Sequence, residues 1–145
     1  MTATAQNLSN QDVADAIISM YRSEPVEIEW SDLIADDVVG SDWLHPGLEV
    51  RGATDFTELF FEKSAKAFPD ATEEVLDTIF DGRTLMVNAR FRSTFAAEYY
   101  GIEAHGGSVT YEIIDRWVIE SGKVVRVKFA ANTREAHQQL TAGSN

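Results

Sequence analysis

In the stretch Ser108–Glu120, SVTYEIIDRWVIE, one carboxylate sits in the middle of an otherwise apolar face. Read with a period of two, Val109, Tyr111, Ile113, Asp115, Trp117 and Ile119 share one face. The other face is mixed, and the alternation with its β-branched and aromatic residues predicts a half-buried strand. An ionised Asp115 on the buried face would be costly to desolvate. Three outcomes are open: a partner satisfies it, it faces a cavity, or it holds a proton because its pKa is raised. A neutral carboxylic acid in an apolar site can donate a hydrogen bond to a developing oxyanion. The structural alternative is an aspartate bonded to a neighbouring hydroxyl or backbone amide.

A second cluster lies in residues 36–52, DDVVGSDWLHPGLEVRG, where Asp42, Trp43 and His45 fall within four positions. The segment has no clean period and reads as a short extended piece followed by a turn at Pro46-Gly47. It is either a surface loop with Trp43 tucked beneath the domain or the rim of a cavity, since clefts combine aromatics with a few polar groups. Asp42 and His45 are the candidate acid–base groups there.

Composition limits what such groups can do. The 145 residues carry 12 Lys plus Arg against 24 Asp plus Glu, a net charge of −12. That surface repels a phosphate backbone, and no basic run offsets it, so a nucleic-acid partner is not expected. Without cysteine there is no disulfide or thiol chemistry. His45, His105 and His137 show no ligand-like spacing, so neither a metal nor another cofactor is expected. The first ten residues lack a charged, apolar-cored leader pattern, and no apolar run reaches 18 residues. The expectation is a cytoplasmic protein with no membrane partner, folded as one domain over 1–145.

The elements that must position the acids follow from periodicity. Ser9 with Asp12 three residues on predicts a capped helix, whose stripe is Val13, Ala14, Ile17, Ile18 and Tyr21. A short helix is predicted over 30–35. A third, capped by Thr54, is predicted to run to Ala67 with Phe56, Leu59, Phe60 and Lys63 inward. Beyond Pro69 the period changes to two. Strands are predicted over 72–80, 84–98, 108–120 and 123–130, with a hairpin turn at Asp81-Gly82-Arg83. Phe91 is inward on the second of these. Residues 99–107, YYGIEAHGG, form a glycine-bounded loop in which Tyr99, Tyr100 and Ile102 read either as a lid or as an idle hairpin tip. The tail NTREAHQQL is predicted to add one or two helical turns. Helices followed by an antiparallel meander make an α+β domain, with a pocket between helix and curved sheet. Its predicted lining is Tyr21, Trp43, Phe60, Phe91, Tyr100, Tyr111 and Trp117.

The order and spacing of LIADDVVGSD, AFPDA, the DG turn, EYYGI with HGGSVTYE, DRWVIESGKVV and the closing QQL resemble the NTF2-like superfamily. The likeness is in particular to its SnoaL-like polyketide cyclase and ketosteroid isomerase branches. The resemblance implies a cone of N-terminal helices on a curved, mainly antiparallel sheet around an apolar pocket, and a homodimer through the sheet. It places the isomerases' protonated, oxyanion-binding Asp at Asp115, and their base at Asp42. The isomerases' first-helix tyrosine aligns near Ile17 or Ile18, with Tyr21 a turn away. The cyclases' histidine corresponds to Phe95, with Ala97 in place of a glycine, and the acidic residue near the start of the tail is Asn132. The implied activity is a polyketide-type cyclase or isomerase of antibiotic biosynthesis, closing a ring in an apolar intermediate by aldol, Michael-type or pericyclic chemistry such as indane formation. The alternatives are an epoxide hydrolase or dehydratase on the same fold, or a non-catalytic small-molecule-binding or dimerisation module.

Overall fold

A computed structural model describes residues 7–42, 44–45 and 47–142. Helix α1 (Asn10–Tyr21) begins with the expected capping box: the Asp12 amide donates to Ser9 Oγ and the Ser9 amide to Asp12 Oδ2, both at 3.0 Å. Asn10 then fixes this end of the helix to two hairpins. Its Nδ2 donates to the Gly82 carbonyl at 2.9 Å, and its Oδ1 accepts from the Gly122 amide at 2.9 Å. Gly122 has φ +73°, and a Cβ there would stand 2.1 Å from the Leu8 carbonyl oxygen, so the close approach requires glycine.

Helix α2 (Trp30–Leu33) is shorter than expected, because the chain turns extended at Ile34. What read as an aperiodic segment is two strands, β1 (Ile34–Asp42) and β2 (Glu49–Arg51). Helix α3 is one helical run in three parts, Ala53–Phe56, a π-helical Thr57–Glu62 and Lys63–Ala67. Its N-cap is Gly52 rather than Thr54, with no side-chain capping bond. The meander follows as β3 (Thr72–Phe80), β4 (Thr84–Thr94), β5 (Ser108–Glu120) and β6 (Lys123–Phe129), then helix α4 (Thr133–Thr141). Strand β4 ends four residues before the expected Glu98. Asp70 accepts from the Thr94 amide and from the hydroxyls of Ser93 and Thr94, which holds its carboxyl down at about 2 and anchors that strand end.

The six strands form one curved, unclosed sheet in the order β2-β1-β6-β5-β4-β3. All neighbours are antiparallel except β1 and β6, which run parallel and bring Asp42 beside Phe129. Strand β5 pairs with β4 from Ser108 to Val118, Val87 opposite Asp115 and Phe91 opposite Tyr111. It pairs with β6 from Arg116 to Glu120, and residues just past β6 continue alongside it, with Ile113 bridged to Ala131 and the Asn132 amide donating to the Glu112 carbonyl. The start of β5, from Ser108 to Tyr111, has no strand on that side, an edge that would invite pairing with other chains if left bare. Helix α4 covers that edge: Gln139 Oε1 accepts from the Thr110 amide and Glu135 Oε1 from the Glu112 amide.

Two apolar clusters fill the concave side. One joins α1, α3 and the β4–β5–β6 face through Ile17, Phe56, Phe60, Leu85, Val87 and Trp117. The other lies under α4 and the 95–107 loop, around Phe68, Phe91, Phe95, Tyr111 and Leu140. Gly40 on β1 lets α3 lie directly on the strand. A Cβ there would meet Phe56 Cε2 at 2.5 Å and Phe60 Cε2 at 2.6 Å, contacts no rotamer change could relieve at both rings. Among the described residues, no helix is long and apolar enough to cross a membrane.

Candidate active site

Between the sheet and helices α1 and α3 lies a cavity of about 410 Å³, with nine aromatic residues among those described in its wall. Tyr21, Phe60, Phe91, Tyr111 and Trp117, all expected from the sequence, line it. Phe61, Phe68, Tyr99 and Phe129, which were not in the predicted lining, complete the aromatic set. Three carboxyl groups open onto the same space: Asp42 from β1, Asp115 from β5 and Glu73 from β3. No lysine, arginine or histidine is among the described lining residues.

Asp115 sits on β5 beside the end of β6. Past Phe129 the next amide, Ala130, donates to Asp115 Oδ1 at 3.1 Å. The other oxygen, Oδ2, accepts from the Tyr21 hydroxyl at 2.5 Å, and that hydroxyl accepts from Trp117 Nε1 at 3.0 Å. A side chain one helical turn beyond the position that the resemblance implied thus reaches the acid, because the end of α1 packs over β5. Asp115 is 4% exposed, and burial lifts its pKa to about 7. The Tyr21 hydroxyl and the Ala130 amide oppose that rise, and the Asp42 charge adds to it.

Asp42 ends β1, 6% exposed. Oδ1 accepts from the Leu44 amide at 2.9 Å; Oδ2 accepts from the hydroxyls of Tyr100 at 2.9 Å and Tyr99 at 3.4 Å. Burial raises its pKa, while these donors, together with the nearby His45, work in the opposite direction. The loop that offered a lid or an idle tip is folded against the site. Mutual backbone bonds between Tyr99 and Ile102, 3.0 Å each, close a tight turn with Tyr100 at φ +49° and Gly101 at φ +81°. The turn directs both tyrosines onto Asp42.

Tyr100 and His45 do not line the main cavity. They border a smaller hollow of about 360 Å³ beside it, their rings 5.3 Å apart, and His45 is exposed. Trp43 lies outside the described residues. His105 is structural: Nδ1 accepts from the Gly107 amide at 2.9 Å, leaving Nε2 to donate to the Gln139 carbonyl at 3.0 Å.

Glu73 was the functional group that sequence reading missed. Burial, with the Asp115 charge added, pushes its pKa to about 8, and its Oε2 is buried without a hydrogen-bond partner. Counting back from the hairpin turn, where Phe80 faces Leu85, would set Glu73 opposite Arg92 on the outer face. A bulge between Val75 and Asp77 shifts the register by one residue, so Glu73 stands opposite Phe91 on the cavity face. Only the bulge reveals it, and TEEVLDTIF carries no glycine to mark one.

With this geometry established, the comparisons with known proteins agree. Residues 14–127 match the model of the SnoaL-like domain, and the chain belongs to that family. Its architecture is the NTF2-like cone of the solved structures it resembles. A SnoaL-like polyketide cyclase from Agrobacterium tumefaciens superposes with a TM-score of 0.67 at 17% identity, over 91% of this chain and 98% of that one. An NTF2-like protein from Burkholderia thailandensis gives 0.69 at 19% identity, over 93% and 98%. A phenazine biosynthesis-related protein from Pseudomonas aeruginosa gives 0.68 at 16% identity, over 91% and 82%. These likenesses define the fold. No curated protein sequence matches significantly.

The raised carboxyls have a consequence for stability. Asp115 and Glu73 bind their protons more tightly in the folded chain than at their ordinary values of 3.8 and 4.5. Between about pH 4 and 8 the folded state therefore holds protons that the unfolded state has released, so stability falls as pH rises and levels off above about 8. Glu73→Gln should flatten this slope and exceed the wild type by at least about 1 kcal/mol at pH 8.5, with less gain at pH 5. Urea melts at both pH values check it; an equal difference at both would show that Glu73 ionises normally.

Proposed function

We propose that the protein is a cyclase or isomerase acting on an apolar, polyketide-type intermediate. The observation that carries the reading is the convergence of Asp42 and Asp115 on one aromatic-walled cavity. A carrier or dimerisation module has no need of two desolvated acids facing its ligand. Asp42, with three donors supporting its charge, is the base that removes an acidic C–H proton. Asp115, buried and linked to Tyr21, is the acid end toward which a carbonyl oxygen of the substrate points. Surroundings that separate the pKa values of two carboxyls let one site run both roles. General acid–base catalysis accounts for about 10²–10⁴-fold; holding a flexible chain in a reactive fold against aromatic walls can contribute more. The polyketide class is supported by family membership and by the Agrobacterium cyclase of the same fold.

Incubation with a panel of linear polyketone thioesters, followed by mass spectrometry for cyclised products, tests the reading. Asp42→Asn should lower turnover by at least about 100-fold and Asp115→Asn by at least about tenfold, with circular dichroism unchanged. Wild-type turnover in Asp115→Asn would return that residue to a structural role.

We further propose a homodimer through the outer sheet face. That face exposes Ile79 and Ile114, 63% and 45% accessible, among the strands that carry Arg90 and Arg116. A second copy would cover these apolar side chains and offer carboxylates to the arginines. Light scattering should give twice the chain mass of 16.1 kDa at micromolar concentration; a mass near 16 kDa across that range would exclude the dimer.

A further inference from the structure

The acid–base scheme leaves one cavity group unused. Asp42 accepts three donors and each oxygen of Asp115 accepts one, but Glu73 has a buried oxygen with no partner. Its surroundings are set by several elements. Asp115 and Tyr111 face it from β5 and Tyr21 from α1, each coupled to it electrostatically, and Phe91 pairs with it from β4. The β4 arginines flanking Phe91 in sequence, Arg90 and Arg92, pair in register with Glu74 and Thr72, and neither lines the cavity.

We propose that Glu73 is a ligand-selecting hydrogen-bond donor, reading a carbonyl oxygen on an otherwise apolar molecule seated between β3, α1 and β5. This rests on the reading above that the cavity holds such a molecule. An ionised Glu73 would be a second desolvated charge coupled to Asp115, with no donor to support it, in a protein of net charge −12. The neutral acid offers one O–H, and on the buried Oε2 that hydrogen meets no protein partner. A ketone or ester carbonyl supplies it. A carboxylate ligand would meet Asp42, and an ammonium ligand would have to draw the proton off Glu73 first.

Three naphthalene probes of similar shape test this on the full-length protein by calorimetry: 2-acetylnaphthalene, 2-ethylnaphthalene and the cation 2-naphthylmethylammonium. At pH 6 the ketone should bind about three- to tenfold more tightly than the hydrocarbon, the range expected of one net hydrogen bond. That preference should vanish as pH rises through about 8. Glu73→Gln keeps a donor and should retain the preference at both pH 6 and pH 9. Glu73→Leu should abolish it at both while still binding the hydrocarbon. In Asp115→Asn the step should persist at a lower pH, because the charge that helps hold the Glu73 proton is gone. A ketone preference surviving in Glu73→Leu, a step that disappears in Asp115→Asn, or tighter binding of the ammonium probe than of the ketone at pH 7 would each overturn the proposal. If no probe binds, the cavity reading fails and takes this one with it. If the probes bind without regard to Glu73, this one fails alone.

Discussion

The site depends on one diverted hydrogen bond beside the end of β6. Beyond Phe129 the chain still follows β5, with the Ile114 amide donating to the Ala130 carbonyl and the Asn132 amide to the Glu112 carbonyl, but the Ala130 amide donates to Asp115 Oδ1 instead of to the β5 backbone. Its second oxygen binds Tyr21 at the end of α1, which Trp117 holds from the same strand face. One carboxyl therefore ties helix α1, strand β5 and the chain just past β6 together. A buried carboxyl with donors on both oxygens is tolerated far better than a bare one, yet burial still dominates and leaves it able to hold a proton near neutrality. The structural and functional readings of Asp115 are thus two consequences of one arrangement, because the bonds that anchor the strand also set the acid.

The three acids differ by how many donors their elements supply. Asp42 lies at a strand end, where a backbone amide and two loop tyrosines reach it. Asp115 lies mid-strand and has two donors. Glu73 projects from the outermost strand of the meander into an aromatic wall and has none for its buried oxygen. Donor count stabilises the ionised form in that order, so a single apolar cavity holds carboxyls graded from base to acid without a cationic side chain among the described lining residues.

Much of this was legible in the chain because the signals are local. The capping box at Ser9–Asp12, the DG turn and the two-residue period of β5 each depend on a few neighbouring residues, and Asp115 stood out as a polar intrusion in a regular pattern. The unread parts depend on distant partners. Strand β1 draws its order from a parallel neighbour almost ninety positions later, with an irregular register between Ile34 and Val39, so its own sequence carries no period. Tyr99 and Tyr100 looked like loop-tip residues because nothing local says that a tight turn aims them at Asp42. Glu73 was hidden by the bulge: beside Glu74 in an otherwise half-exposed strand it looks like any surface acid, and only the shifted register turns it inward.

The central claim is that the cavity keeps carboxyl groups protonated near neutral pH, ready for acid–base work. Carbon-13 NMR titration of the Asp and Glu carboxyls, assigned with Asp115→Asn and Glu73→Gln, measures this directly. The account predicts midpoints near 7 for Asp115 and near 8 for Glu73, apart from the surface carboxylates that titrate around their ordinary values. Titration of both groups together with those surface carboxylates, near pH 4, would contradict it.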